Sequence, residues 1–372
     1  MKMTAGSPFH PTFGSSPPEF SGREAVIDAV TTALDDGAGS ADRRAVIVGA
    51  RGIGKTVTLN AIEDAAAARG WIIISETVTP GLNTRLLTER IPAAAGELRS
   101  PSGRRLTGVT LPAGLGGISL SEPAPPLSAG LRDALAELVT LARARGGSGL
   151  LITLDEVHGK GGRAELIELA AQLQHLLRRD VDIAFAAAGL PAAVNDVLNE
   201  DVATFLYRAT RFHLAPLTKP ETEDALQVPI ESEGRTIESD ALASAVQASV
   251  GYPYLIQSIG DLAWKRTPPD QPITRAEVAW AVRRAVASLG LQVHGPALHD
   301  LSPRDREFLV AMATDEGPSR ISDVADRMGR KLPYVSQYRA RLLAAEIIRP
   351  AGHGMVEFAL PYLREYLRDT TV

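Results

Sequence analysis

The chain has 372 residues, 45% hydrophobic and 22% charged, with 39 basic and 44 acidic residues for a formal net charge of −5. That length suits two or three domains of roughly 150 residues, and the apolar content excludes disorder as the main state. Cysteine is absent, which excludes disulfides, thiol catalysis and Cys-ligated metals; no apolar run reaches the roughly 18 residues of a membrane span, and Met1 to Pro11 lacks the apolar core of a secretory signal, so a cytoplasmic protein with no membrane partner is expected.

Residues 1–20 are rich in Pro, Gly and Ser and are expected to be an extended leader. A helix is predicted from Arg23 to about Leu34. The β-branched run Ala45-Val46-Ile47-Val48 predicts a buried strand. An Ala-rich helix follows from Thr56 to Arg69, closed by Gly70, and then Trp71-Ile72-Ile73-Ile74 predicts the next strand. Strand, Gly-rich loop, helix and strand make the βαβ pattern of a parallel sheet. Residues 97–127 break that pattern. Two short strands, Arg104 to Leu111 and Gly117 to Ser121, are expected there as an inserted surface hairpin. A helix at Leu131–Ala144, a strand at Leu150–Leu154, a helix at Ala164–Leu177 and a strand at Val181–Ala187 follow. From Lys219 the strand signal fades, and helices are predicted at 220–233, 239–250, 254–264 and 274–288. The expected layout is a core over 21–216 carrying the 97–127 insertion, a helical lid over 217–290, a linker over 291–302 and a last compact unit over 303–372.

Gly49-Ala50-Arg51-Gly52-Ile53-Gly54-Lys55-Thr56 fits G-x-x-x-x-G-K-[ST] in full. Glycines let the backbone curl so that successive N–H groups face phosphate oxygens. The helix that opens here points its positive end at the anion. Lys55 supplies charge to the β- and γ-phosphates, and Thr56 supplies a hydroxyl to Mg²⁺. Residues 49–56 with Val57 are therefore the expected nucleotide site. A chance match in a chain of this length is expected on the order of one time in a hundred, and a strand before and a helix after lower that further.

The strand Leu150-Leu151-Ile152-Thr153-Leu154 ends in Asp155-Glu156. Alone, such a pair is most simply a solvated turn. Behind a phosphate loop it assigns Asp155 to Mg²⁺ and Glu156 to the attacking water as general base. His158 close by is most simply structural, with a γ-phosphate contact as the alternative.

With both motifs in hand, the chain resembles the AAA+ and STAND P-loop ATPases, especially the Orc1/Cdc6-like and archaeal-ATPase-like groups. Phe20-Ser21-Gly22-Arg23-Glu24 looks like their F-x-G-R-E element near the adenine. Residues 49–56 match Walker A, 150–156 match Walker B, and Gly251-Tyr252-Pro253 resembles the G-x-P of STAND proteins. The resemblance spans roughly 18–290. It implies ATP with Mg²⁺ as cofactors, and it alone favours ATP over GTP. Ala188-Gly189-Leu190-Pro191 departs from the polar residue of an AAA+ sensor, and Gly251-Tyr252-Pro253 stands in the place of a sensor arginine. Both departures favour a nucleotide-dependent switch with slow hydrolysis over a fast motor. Arg208 and Arg211 are most simply paired or solvated, with an arginine finger as the alternative.

In the last unit, helices are predicted at Arg304–Ala313, Ser319–Met328 and Pro333–Ala345, followed by strands around Ile347-Ile348-Arg349 and Met355–Phe358. Three helices and a hairpin predict a winged helix-turn-helix. Over 300–372 basic and acidic residues balance, eleven of each, yet 327–345 holds Arg327, Arg330, Lys331, Arg339 and Arg341 and no acid. Tyr334, Ser336, Gln337, Arg339 and Arg341 are the candidate contacts to duplex DNA, with Arg349 and His353 on the wing. Such domains also dock proteins.

The expected fold is thus an α/β P-loop parallel sheet with a helical lid and a C-terminal winged helix. The expected function is ATP binding and slow hydrolysis coupled to DNA binding. The alternative is a regulatory ATPase or nucleotide-binding scaffold whose winged helix docks a protein partner, without DNA; a homo-oligomer is the other partner weighed.

Overall fold

The computed structural model describes residues 6–12, 21–37, 39–100, 130–157, 161–191, 194, 204–299 and 301–370. The expected hairpin strands at 104–121, His158 and Phe20 lie outside these residues. By internal contacts the chain divides into two compact units. One comprises Arg23–Val48 and Lys55–His213; the other comprises Met1–Gly22, Gly49–Gly54 and Leu214–Val372.

The first unit is built on a parallel sheet. Its strands are β1 (Arg44–Val48), β2 (Trp71–Thr77), β3 (Gly149–Asp155), β4 (Ile183–Gly189) and β5 (Thr210–His213), in the spatial order β2-β3-β4-β1-β5. All four pairings are parallel. The helices that connect and cover the strands are α1 (Glu24–Asp36), α2 (Lys55–Ala68), α3 (Leu82–Arg85), α4 (Ile91–Arg99), α5 (Leu131–Ala144), α6 (Arg163–Leu177) and α7 (Thr204–Tyr207). With helices on its faces the sheet is buried on both sides, which is why its strands read as unbroken apolar runs rather than alternating ones. Leu150, Leu151, Ile152 and Leu154 of β3 have no exposed surface, and Ala184, Ala186, Ala187 and Ala188 line β4. β4 stands between β1 and β3, so the chain reverses its order of placement beside β1. Ligands bind beyond the carboxyl ends of strands at such points.

The structure adds elements the sequence pattern did not show. Residues 97–99, read as the start of the insertion, belong to α4, and Leu86–Arg90 between α3 and α4 is a π-helical turn. β5 is a fifth strand, exposed along one side (Arg211 and His213 alternate with more covered residues).

In the second unit, α8 (Lys219–Ser232), α9 (Ser239–Ser249), α10 (Pro253–Arg266) and α11 (Arg275–Leu289) are the four helices expected over the lid. Thr218 caps α8 in a capping box with Glu221, whose side chain returns to the Thr218 backbone N–H. Residues 291–299 of the stretch expected to be a linker are helical: Gly290–His294 forms a π-turn and α12 (Gly295–His299) continues it. The segment 6–12 is neither helix nor strand, but it is not a loose leader. Phe9 is buried against Gly260, and the His10 N–H donates to Gln257 Oε1 at 2.9 Å.

The C-terminal part of this unit comprises α13 (Pro303–Ala313), β6 (Ser319–Arg320), α14 (Ile321–Arg327), α15 (Leu332–Ala344), β7 (Ile348–Pro350), β8 (Met355–Phe358) and α16 (Leu363–Thr370). Its strands form an antiparallel sheet in the order β6-β8-β7. The expected three helices and hairpin are present. The second helix starts two residues later than the pattern suggested because Ser319–Arg320 is drawn into the sheet, and α16 is an addition.

Candidate functional site

The phosphate-loop sequence lies where the pattern put it, directly after the carboxyl end of β1, and α2 opens at Lys55. Gly52 and Gly54 have φ of +73° and +97°, a left-handed backbone that side-chain-bearing residues rarely adopt. The Ile53 N–H donates to the Ala50 carbonyl at 3.4 Å and closes a turn inside the loop, with the Ile53 side chain buried. Lys55, Thr56 and Val57 form the first turn of α2 and are all half-buried.

Asp155 and Glu156 stand at the carboxyl end of β3. Thr56 Oγ1 donates to Asp155 Oδ2 at 2.6 Å, so two residues 99 apart in sequence meet. They are the two assigned to Mg²⁺. A hydroxyl and one carboxylate are hard oxygen donors, and Mg²⁺ is commonly held by one or two carboxylates together with substrate phosphates, so the pair fits that ion. Among the described residues no group of three or more His, Asp and Glu side chains forms a larger metal cage. The other Asp155 oxygen, Oδ1, accepts the Glu156 N–H at 2.7 Å. Glu156 is exposed and has φ of +53°, a left-handed backbone unusual for a residue with a Cβ. Such conformations concentrate where side-chain direction matters to function.

Glu63 was not anticipated. It lies on α2 two turns after Thr56 and is only 4% exposed. Its Oε1 accepts from Ser75 Oγ at 2.8 Å and from Thr153 Oγ1. Ser75 and Thr153 are paired in the β2–β3 register, and Asp155 lies two residues further along the same face. Burial pushes the Glu63 carboxyl above its ordinary range; the two hydroxyl donors pull the other way, and nearby Asp64 and Asp155 add to the rise. A glutamate in an Ala-rich helix gives no sequence signal of this kind.

Arg208 lies beside Arg44, whose guanidinium is pushed below its ordinary value by burial first and then by the Arg208 charge. Arg44 opens β1, whereas the phosphate loop follows its other end, four residue steps or about 13 Å away. Arg211 sits on β5 opposite Val46 in mid-strand.

In the C-terminal part, the expected DNA contacts divide. Tyr334 on α15 is 61% exposed, and Gln337 is also exposed. Arg330 and Lys331, just ahead of α15, are exposed. Arg339 is half-buried, and its Nε has no hydrogen-bond partner. Arg341 is exposed but paired: Nη2 and Nε donate to Asp305 Oδ1 at 2.7 and 3.2 Å, and the guanidinium stands 5.0 Å from the Tyr338 ring centroid. Arg327 is likewise held by Asp315, at 2.6 Å, and by the Ala311 carbonyl. On the wing, Arg349 pairs with Glu357 at 2.7 Å and His353 is exposed. A positive stretch in sequence is therefore less positive in space, because acids from α13 and the loop after it reach two of its five cations.

Residues 19–186 match the AAA ATPase domain family. Residues 291–367 match a domain of unknown function (DUF8462). No curated protein matches the chain. Similar solved structures include the Walker-type ATPase PABY2304 of Pyrococcus abyssi, at 16% identity and TM-score 0.68, covering 95% of this chain and 97% of that one. The ORC2 protein of Aeropyrum pernix in its ADPNP–ADP complexes matches at 18% identity and TM-score 0.63, covering 96% of both chains. Its ADP form matches at 17% identity and TM-score 0.53, covering 97% and 98%. At such identities the likeness is one of fold: the chain has the parallel sheet and flanking helices of the Orc-type P-loop ATPases.

Proposed function

We propose, starting from an AAA ATPase domain over residues 19–186, that the chain is a nucleotide-dependent switch that binds ATP, hydrolyses it slowly and presents a DNA-binding winged helix at its C-terminus. The observation that carries the nucleotide half is the 2.6 Å hydrogen bond from Thr56 to Asp155. The ORC2 likeness in nucleotide complexes supports it.

In this reading, the backbone N–H groups of 49–54 and the Lys55 ammonium hold the phosphates. Thr56 and Asp155 hold Mg²⁺, which when bound neutralises charge on the phosphate oxygens. Glu156 orients a water and accepts its proton. Lys55→Ala is expected to weaken nucleotide binding by at least tenfold. Glu156→Gln is expected to leave binding intact and to lower turnover by about 10²- to 10⁴-fold, the usual worth of a general base. If Lys55→Ala binds ATP as the parent does in calorimetry, the site assignment is wrong.

The DNA half rests on Tyr334, Gln337, Arg330 and Lys331, which lie exposed on and just before α15. A second reading has an observation of its own. Leu332 and Tyr334 are 52% and 61% exposed at the start of α15, while Arg327 and Arg341 are tied into ion pairs. A helix end with bare apolar side chains and spent charges suits a protein partner. Substituting Arg330 and Lys331 by Ala separates the two: lost duplex affinity with unchanged ATP binding supports the DNA reading, and no measurable duplex affinity in the parent favours the protein one.

A further inference from the structure

Gly251-Tyr252-Pro253 does more in the fold than end one helix and begin another. Tyr252 is buried, and its hydroxyl donates to the main-chain carbonyl of Arg51, inside the phosphate loop. The ring lies against Gly52 so closely that a Cβ on that glycine would collide with the hydroxyl. A buried phenol hydroxyl needs a partner, and this one has a loop carbonyl.

The residues just before Tyr252 form a tight turn. Val250 and Gly251 are both left-handed, with φ of +46° and +69°, and Val250 is β-branched, the side-chain type that tolerates this backbone least. The Gly251 carbonyl accepts from the Leu217 N–H at 2.8 Å. One turn earlier, the Ala248 carbonyl is among the last four of α9, which have no partner within their own helix. It is satisfied from the C-terminal part: Tyr362 Oη donates to it at 2.6 Å. Tyr362 is left-handed as well, at φ +59°, and immediately precedes α16. The Arg51 carbonyl, the turn and Tyr362 all belong to the same compact unit.

We propose that the turn Ala248–Tyr252 links the phosphate loop to the C-terminal part, with Tyr252 reading the loop and Tyr362 carrying its state onward. The proposal rests on residues 49–56 being the nucleotide site. If phosphate binding turns the Arg51 carbonyl, Tyr252 must follow it or lose the partner of a buried hydroxyl. Tyr252 is three residues from Ser249 and bonded to its carbonyl at 2.8 Å, so its movement passes into the turn. A turn held in an unfavourable backbone is suited to switch between two arrangements, which is what coupling between distant sites requires. Tyr252 is thus a positioning residue for the loop, and Tyr362 a coupling residue outside it.

The test is hydrogen exchange of the full chain, read by mass spectrometry with and without Mg²⁺ and a non-hydrolysable ATP analogue. The parent is expected to gain protection over 49–56 and to change its exchange over 303–370. Tyr362→Phe removes one hydroxyl and keeps the ring. It is expected to bind nucleotide within about twofold of the parent and to keep the loop protection, while losing the response over 303–370. Tyr252→Phe is expected to weaken nucleotide affinity on the order of tenfold, the effect of one lost hydrogen bond, and to lose the same distal response at saturating nucleotide. A purely structural role would move melting temperature and leave the nucleotide-induced difference in place. The proposal is overturned if both Phe variants retain the distal response, or if the parent protects its loop with no change over 303–370. A parent that binds no nucleotide overturns the functional reading itself, a distinct result.

Discussion

Glu63 places a carboxyl in the core next to the strand that ends in Asp155 and Glu156. Its folded-state value lies above the ordinary carboxyl range because burial disfavours the charge. For an acid shifted upward the sign is set: below the unfolded carboxyl value, near 4.3, both states hold the proton and the burial costs nothing. As pH rises through that value, the unfolded chain releases its proton first, and stability falls until the folded value is passed. Glu63→Gln keeps an oxygen for Ser75 and Thr153 and cannot ionise. Its melting temperature is therefore expected to gain on the parent as pH rises from 4 toward neutrality, and parallel curves would show that Glu63 is not shifted. Glu63→Ala is expected to cost about 1–3 kcal/mol by denaturant unfolding, because it takes the acceptor from the fully buried Thr153 hydroxyl and from the half-buried Ser75 hydroxyl. At Asp305 the same reasoning applies to an ion pair. Asp305 is buried, caps α13 through Ser302 and receives Arg341. Arg341→Ala is expected to destabilise the C-terminal part by about 1–2 kcal/mol, since the exposed arginine contributes modestly but leaves a buried acid behind. A loss of DNA affinity in that variant would report folding as much as contact, which is why Arg330 and Lys331 are the better probes.

Among elements, the joint formed by the π-turn Gly290–His294 with Pro361 and Tyr366 has a titratable centre. His294 is 1% exposed, and its Nε2 lies 2.9 Å from the Pro361 carbonyl. A carbonyl only accepts, so Nε2 carries the proton and Nδ1 is bare, buried and without a partner. The Tyr366 ring meets the imidazole edge-on at 5.2 Å between centroids. Burial pushes the imidazole down to about 4, against a weaker opposing effect of the Pro361 carbonyl. A histidine shifted downward loses stability as pH falls: the unfolded chain protonates from about 6.5, the folded one only near 4. The joint is expected to weaken by up to about 3 kcal/mol across that window. His294→Gln retains a donor for Pro361 and is expected to flatten the pH dependence of the melting temperature there. Its slope is opposite to that of Glu63, so the two variants separate the two groups.

At the scale of the molecule, nucleotide and DNA or protein contacts are assigned to different stretches of chain, and their coupling is a matter for turnover. Steady-state ATP hydrolysis measured with and without duplex DNA is expected to rise in the presence of DNA if the C-terminal part is a DNA-directed switch. Turnover unmoved by duplex, in a protein that does hydrolyse ATP, would favour a protein partner and direct attention to Leu332 and Tyr334. No helix of the described residues is long and apolar enough to cross a membrane.

What the sequence determined by itself was the local and the periodic. The strands at 44–48, 71–77, 149–155 and 183–189 are apolar runs because both faces of a parallel sheet are covered, and G-x-x-x-x-G-K-[ST] names a loop because phosphate cradling needs those residue types in that order. Thr56 and Asp155 were legible as partners through the chemistry of Mg²⁺, and the structure places them in contact. The strand at 210–213 was not legible, being short and having exposed Arg211 and His213 at alternate positions, nor was the helix α16, whose apolar face is supplied with a neighbour only by folding. The same holds for the fates of individual charges. Arg341 and Arg330 look alike along the chain and both are exposed; that Arg341 is tied to Asp305 depends on which acids α13 brings within reach. Tyr252 fills the unspecified position of G-x-P, and its bond to Arg51, 201 residues away, exists only in the folded chain. Tertiary structure decides such partners because a hydrogen bond or ion pair is set by distances of about 3 Å, which no spacing along the sequence specifies once the residues lie on different elements.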